Sequence, residues 1–335
     1  MTNETLAGYA NLSLYSAMAV FTIAMVCHAV YLAGLLPARD RAADRASLPA
    51  ARRERELVGA AGAVEADDLG VPAGGGDAVP PASAEVPARA RSAAGIAATT
   101  TWLGGFLLVL SVLLRGLAVH RWPMGNMFEF AVMGSMFTVI AYSIWSTRRD
   151  LRWLGLFITG PVLLLLGMAV AVWYTEAAEL MPSLKSYWLV IHVTVATLAS
   201  AVFTIGAALT AVYLLKDGFE RSGRRTVLDR FPATPAIERT AYSLHIVAFP
   251  LWTFTLIAGA IWARQAWASY WNWDPKEVWT FVIWVVYAAY LHSRATSGIS
   301  RQTASFIALA GYVCIIINFS VVNVFFVGQH SYSGL

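Results

Sequence analysis

The chain has 335 residues, a formal net charge of +4, 58% hydrophobic side chains and only 13% charged ones. Soluble domains carry roughly 25% charged residues, so this composition argues against a globular enzyme and predicts an all-α integral membrane protein. The two cysteines, Cys27 and Cys314, stand singly in apolar runs with no Cys-x-x-Cys pair. That spacing argues against thiol–disulfide exchange and thiolate metal sites, and both read as small core fillers.

In chain order, the opening Met1-Thr-Asn-Glu-Thr5 lacks the basic region of a cleaved signal peptide, so the first apolar run is expected to be a retained transmembrane helix within residues 1–37. Residues 38–94 are rich in Ala, Pro, Gly, Arg and Glu, and Gly74-Gly75-Gly76 and Pro80-Pro81 predict a disordered linker without a packed core. Residues 95–335 read as a membrane domain of seven further helices. The eight expected spans lie near 11–36, 96–118, 126–146, 153–174, 187–215, 240–262, 278–293 and 303–327.

Basic residues set the expected orientation. Eight arginines between Arg39 and Arg91 lie in the linker, and Arg148, Arg149 and Arg152 follow the third span. Lys216, Arg221, Arg224, Arg225 and Arg230 follow the fifth, and Arg294 and Arg301 the seventh. With eight spans and both termini outside, every one of these loops is cytoplasmic, including the linker. The cations then face lipid headgroups, and no nucleic-acid partner is expected.

That topology places a tryptophan-rich segment on the outer face, between spans six and seven. Trp262, Trp267, Tyr270, Trp271, Trp273 and Trp279 surround the charged run Asp274-Pro275-Lys276-Glu277. An interfacial anchoring belt is one reading, but belt residues are scattered, whereas these are packed together. A flat apolar ligand with acidic substituents suits such a surface, and haem is the obvious one. Asp274 also fits a helix N-cap, with Pro275 at the first helical position and Glu277 at the third. His192 and His330 fall on the same side and suit axial ligation of haem iron. Lys276, Arg264 and Arg115 are the cations available to propionates, with snorkelling as the alternative for Arg115. His120 and the Pro123-Met-Gly-Asn-Met-Phe-Glu129 turn also fall outside. His292 and His245 lie toward the cytoplasmic ends of spans seven and six. His245 suits either a pairing with His292 or a hydrogen bond between helices.

The run Trp267-Ala-Ser-Tyr270-Trp271-Asn-Trp273-Asp274-Pro-Lys-Glu277, with Trp284-Val-Val-Tyr-Ala-Ala-Tyr-Leu-His292 behind it, resembles the tryptophan-rich WWD signature of haem-handling proteins. With Trp188-Leu-Val-Ile-His192, Gly328-Gln-His330 and the Pro123–Glu129 turn, residues from about 96 to 335 resemble the CcsA/CcsB/ResC family of system II cytochrome c biogenesis. Ala268 stands where the signature has glycine, Asn272 where it has a small residue, and Ser243 where an arginine commonly follows the tyrosine.

The resemblance implies a multi-pass cell-membrane protein whose haem site faces outward. It implies haem b as transferred ligand, His192 and His330 as its axial ligands, and Trp267, Tyr270, Trp271, Trp273 and Asp274 around it. It further implies His292 on the route by which haem is brought out. The implied partners are a ResB-type protein, apocytochrome c with its Cys-x-x-Cys-His motif, a thiol-reducing protein and membrane lipid. Together with the ResB-type protein, the chain would be part of a cytochrome c haem lyase. A membrane transporter and a cofactor-free assembly subunit are the alternatives that the residues alone leave open.

Overall fold

The structure, a computed structural model, describes residues 3–47, 86–178, 184–224 and 226–330, and among them there is no strand. The elements are α1 (Glu4–Ser47), α2 (Ala88–Val119), α3 (Met127–Ser146), a 3₁₀ turn (Arg152–Leu154) leading into α4 (Gly155–Ala171), and α5 (Tyr187–Arg221). A second 3₁₀ turn (Val227–Arg230) precedes α6 (Thr234–Trp267), α7 (Pro275–Ala295) and α8 (Arg301–Ile317). A π-helical turn (Asn318–Val322) and the single turn α9 (Asn323–Phe325) close the order.

Among the described residues, seven helices are long and apolar enough to cross a membrane, the last running from α8 through α9. The remaining expected span, the seventh in order, is α7, whose 21 residues reach about 32 Å, enough for a hydrocarbon core of about 30 Å. Lys276 and Glu277 at one end, and His292 and Arg294 at the other, make it less apolar than the rest. The chain is thus a multi-pass, all-α membrane protein.

The helices outrun the apolar windows. α5 and α6 have 35 and 34 residues, each about 50 Å long. Part of the expected linker is also helical: α1 continues to Ser47 and α2 begins at Ala88. Alanine and arginine dominate both stretches and propagate a helix once it has started. The rest of the expected linker, 48–85, lies outside the described residues.

Helices adjacent in sequence pack side by side: α1 on α2, α5 on α6, and α7 on α8, with α3 between α4 and α5. One apolar cluster joins α1 to α4 through Phe21, Leu108, Phe128, Met133 and Leu166. Another joins α5 to α8 through Phe203, Trp252, Ile283 and Tyr287.

Two histidines set the register of α5 against α6. His192 of α5 lies against Gly259 of α6, where an added Cβ would come within 2.7 Å of the ring, and its Nδ1–H donates to the Thr255 carbonyl at 3.0 Å. His245 of α6 lies in the reciprocal position against Gly206 of α5, where a Cβ would come within 2.8 Å of it. The Thr210 hydroxyl donates to the Gly206 carbonyl and therefore accepts from His245 Nε2–H at 3.2 Å. Each helix thus carries a notch, Gly and Thr four residues apart on one face, filled by a histidine of the other. The helix-to-helix hydrogen bond is the role His245 takes. Its side chain is fully buried, whereas His292 is exposed.

α6 ends in Ala268, at φ +59°, in the left-handed region that favours glycine. Replacing Ala268 with glycine, the residue of the resembling signature, is expected to raise stability by about 0.5–1 kcal/mol, the left-handed strain removed exceeding the backbone entropy added. Thermal unfolding in detergent measures this, and an unchanged or lower midpoint contradicts the strain argument.

Candidate functional site

The Trp-rich loop folds as its capping residues dictate. Asp274 caps α7 by accepting from Lys276 N–H at 3.2 Å, with Pro275 at the first helical position. Glu277 reaches back to Asp274 N–H at 3.1 Å and to Asn272 N–H at 2.9 Å, so the expected capping box is complete. Trp273, just before the cap, is held at φ +59°.

Asp274 has a second task. Its Oδ1 accepts from Gln329 N–H at 2.6 Å and its Oδ2 from His330 Nδ1–H at 2.8 Å. Gly328 allows this approach, because a Cβ there would collide with the carboxylate. Burial acts to raise the Asp274 pKa, but hydrogen bonds from His330, Gln329 and Lys276 outweigh it and hold the carboxyl below its ordinary range. The carboxylate is therefore ionised throughout neutral pH. A depressed folded value keeps this contribution to stability intact above the unfolded pKa of about 3.9 and removes it only as pH falls through the folded value.

His192 and His330 flank one buried indole. Trp262 stacks on His192 at 6.0 Å between ring centroids and meets His330 edge-on at 5.6 Å. Both imidazoles line a cavity of about 680 Å³, within the range of cofactor sites. Its other walls are mainly apolar: Met124 from the turn before α3, Phe130 from the start of α3, Leu189 from α5, Trp252 from α6 and Phe319 from the π turn.

The structure divides the aromatic segment. Tyr270 and Trp271 line the cavity with Trp262. Trp267 packs behind, edge-on to both His330 and Trp262 at 4.7 Å. Trp273 is 77% exposed and lies outside the cavity lining. Asp274 acts through His330 and is not itself in the lining.

Of the three cations considered for an acidic ligand, only Lys276 reaches the cavity, where its Nζ donates to the Asn318 carbonyl at 2.7 Å. Arg264 is exposed and bonds the Ala268 carbonyl at 3.0 Å. Arg115 is buried against Glu129 at 2.9 Å, which Arg121 also engages at 2.9 Å. The Glu129 carboxylate also accepts from Gly125 N–H at 2.7 Å and so holds the turn that brings Met124 and Asn126 to the cavity. His120 ends α2 in the left-handed conformation and is exposed. His292 sits sixteen residues along α7 from Lys276, about 24 Å by helical rise, and takes no part in this cavity.

Sequence reasoning missed the Thr255–Gly259 notch and the π turn at Asn318. A glycine four residues from a threonine in an apolar helix is the only signal for the first. Nothing local announces the second.

Helices that cross a membrane and enclose a cavity lined by two braced imidazoles define a polytopic membrane protein with a ligand-sized cavity. A family model described as "Cytochrome C assembly protein" matches residues 122–330, more than half of the chain and the whole of this cavity's histidine frame. The chain is 30% identical over 253 residues to the cytochrome c biogenesis protein CcsA of Mesostigma viride, covering 68% of this chain and 82% of that protein. It is 32% identical over 236 residues to CcsA of Chlamydomonas reinhardtii, covering 69% and 66%. It is 32% identical over 243 residues to CcsA of Guillardia theta, covering 64% and 77%. The chain belongs to the cytochrome c assembly family, as a CcsA-type protein of system II, and its function is cytochrome c biogenesis.

Proposed function

We propose that this chain holds haem b, as cargo, between His192 and His330 on the outer side of the cell membrane. With a ResB-type partner, it presents that haem to apocytochrome c. The bracing of the imidazoles carries this reading. A histidine that ligates metal donates its second ring N–H to a carbonyl or carboxylate, which fixes the ring and raises its basicity. His192 donates to the Thr255 carbonyl and His330 to the Asp274 carboxylate. In both rings Nε2 is the nitrogen that would coordinate. The size and aromatic walls of the cavity suit a porphyrin, and Lys276 gives it an amine that a propionate would hold protonated.

The chemistry served is thioether formation. A cysteine S–H of the Cys-x-x-Cys-His motif adds across a haem vinyl group, the sulfur bonding carbon and the proton ending on the vinyl, with no net redox change. Haem carries the reactive group; this chain orients it and keeps dioxygen from the iron by filling both axial positions. A thiol-reducing partner supplies the cysteines as thiols, and His292 lies on the route by which haem arrives from the cytoplasmic side.

The test is the visible spectrum of protein purified with its ResB-type partner from haem-replete cells. A six-coordinate Soret band is expected. A colourless preparation that still supports cytochrome c maturation overturns the reading in favour of a cofactor-free subunit. Asp274→Asn, which removes the ionised brace of His330 while keeping a capping side chain, is expected to weaken haem retention about 10- to 100-fold. Titration of haem into the purified variant measures this, and wild-type retention contradicts the brace.

A further inference from the structure

A second cavity, of about 540 Å³, opens at the other end of α3, between α1, α2 and the turn that starts α4. Its floor is polar although it lies within the bundle: His28, Thr101 and Ser143 are each at most 2% exposed. His28 Nε2 faces the Thr101 hydroxyl at 3.4 Å, and the Ser143 hydroxyl has no hydrogen-bond partner among the described residues. Its rim is basic. Arg152 is matched by Asp150 through two contacts of 2.7 and 2.6 Å, and that pairing holds the Asp150 carboxyl below its ordinary range, so the pair adds no net charge. Arg148 and Arg149 are exposed on the same rim, and their side chains have no ion pair or hydrogen bond among the described residues. On the side, Trp102 is 45% exposed, as an indole at a membrane interface is.

Two unmatched guanidinium groups at the end of a transmembrane helix, above a hydroxyl-lined floor, form a receptor for a phosphodiester whose tails lie in the bilayer. We propose that this cavity binds the headgroup of an anionic phospholipid, with Arg148 and Arg149 on the phosphate, the unpartnered Ser143 hydroxyl below it, and an acyl chain along Trp102. The site is independent of the haem reading, sharing no residue with the His192–His330 cavity.

The test uses the full chain in nanodiscs of equal phosphatidylglycerol and phosphatidylcholine, transferred to mild detergent, with retained lipid counted by native mass spectrometry. Wild type is expected to retain phosphatidylglycerol over phosphatidylcholine by about thirtyfold, from two arginines at the membrane surface. Arg148→Gln/Arg149→Gln is expected to bring that preference close to one. Ser143→Leu, which fills the floor and leaves the arginines in place, is expected to lower occupancy with the same lipid. Circular dichroism checks that each variant keeps its helices. A wild type without preference, or a preference that survives both variants, overturns the proposal. So does a wild type that binds inorganic phosphate at millimolar concentration while retaining no phosphatidylglycerol, because the site would then recognise free phosphate and not a lipid.

Discussion

Protein carrying His192→Ala or His330→Ala is expected to lose the six-coordinate Soret spectrum and to leave apocytochrome c without haem. An outer partner of a metal ligand is worth about 10- to 100-fold in affinity, so removing the ligand itself should exceed that range. The two variants separate ligation from folding. His330 lies past the last helical turn, so its loss leaves the α5–α6 notches intact and gives up the hydrogen bond to Asp274 and the edge contacts with Trp262 and Trp267. His192 fills the α6 notch, so its loss also removes the hydrogen bond to Thr255. Added imidazole supplies the missing nitrogen. It is expected to restore the six-coordinate spectrum of both variants, more completely for His330→Ala. Wild-type spectra and maturation in both variants remove the basis of the haem site. Spectra restored by imidazole without restored maturation show that the histidines do more than fill a coordination position.

Glu129→Ala is expected to be the most destabilising single change outside the apolar core. Glu129 is 2% exposed and takes two arginines, Arg115 and Arg121, on one carboxylate. Removing one partner of a buried ion pair costs about 3–5 kcal/mol because the remaining charge is left uncompensated, and here two charges are left. Arg115 also donates to the Thr175 carbonyl at 2.7 Å and Arg121 to Ala178 at 3.0 Å, so the chain after α4 loosens as well. Thermal unfolding in detergent measures the loss. Adding Arg115→Met to Glu129→Ala is expected to recover part of it, since a buried apolar side chain replaces an unpaired charge. A double variant less stable than Glu129→Ala argues that Arg115 stabilises the fold through Thr175 alone.

The helices were legible because an apolar run of twenty residues has few other stable forms. Their ends were not. Residues 38–47 and 88–94 read as linker from their polarity, yet the backbone continues helical because alanine and arginine favour propagation once a turn exists. The capping box at Asp274 was legible because its members lie within four residues of one another. The same carboxylate's hold on His330 was not, since 56 residues separate them and only the packing of α7 against α8 brings them together. Arg115 shows the converse. An arginine inside a span reads as a ligand contact from its own neighbours, but its charge is matched by Glu129, fourteen residues on, across the α2–α3 turn. The aromatic segment was legible as a site and illegible as a surface. Its backbone turns at Ala268 and Trp273 send successive rings in different directions, so one lies in the open and another serves as backing.

The two imidazoles are mounted differently, and that has a consequence for the order of events. His192 belongs to a 35-residue helix and is keyed into its neighbour, whereas His330 rides on the non-helical stretch after Phe325. On the proposed reading, the incoming histidine of an apocytochrome would meet one ligand set in the helical frame and another on a short non-helical stretch held by Asp274. Exchange would then begin at His330, and the product would depart from the face that His330 vacates. Because Asp274 both holds His330 and starts α7, release of that histidine would also be felt at the cap of the membrane helix.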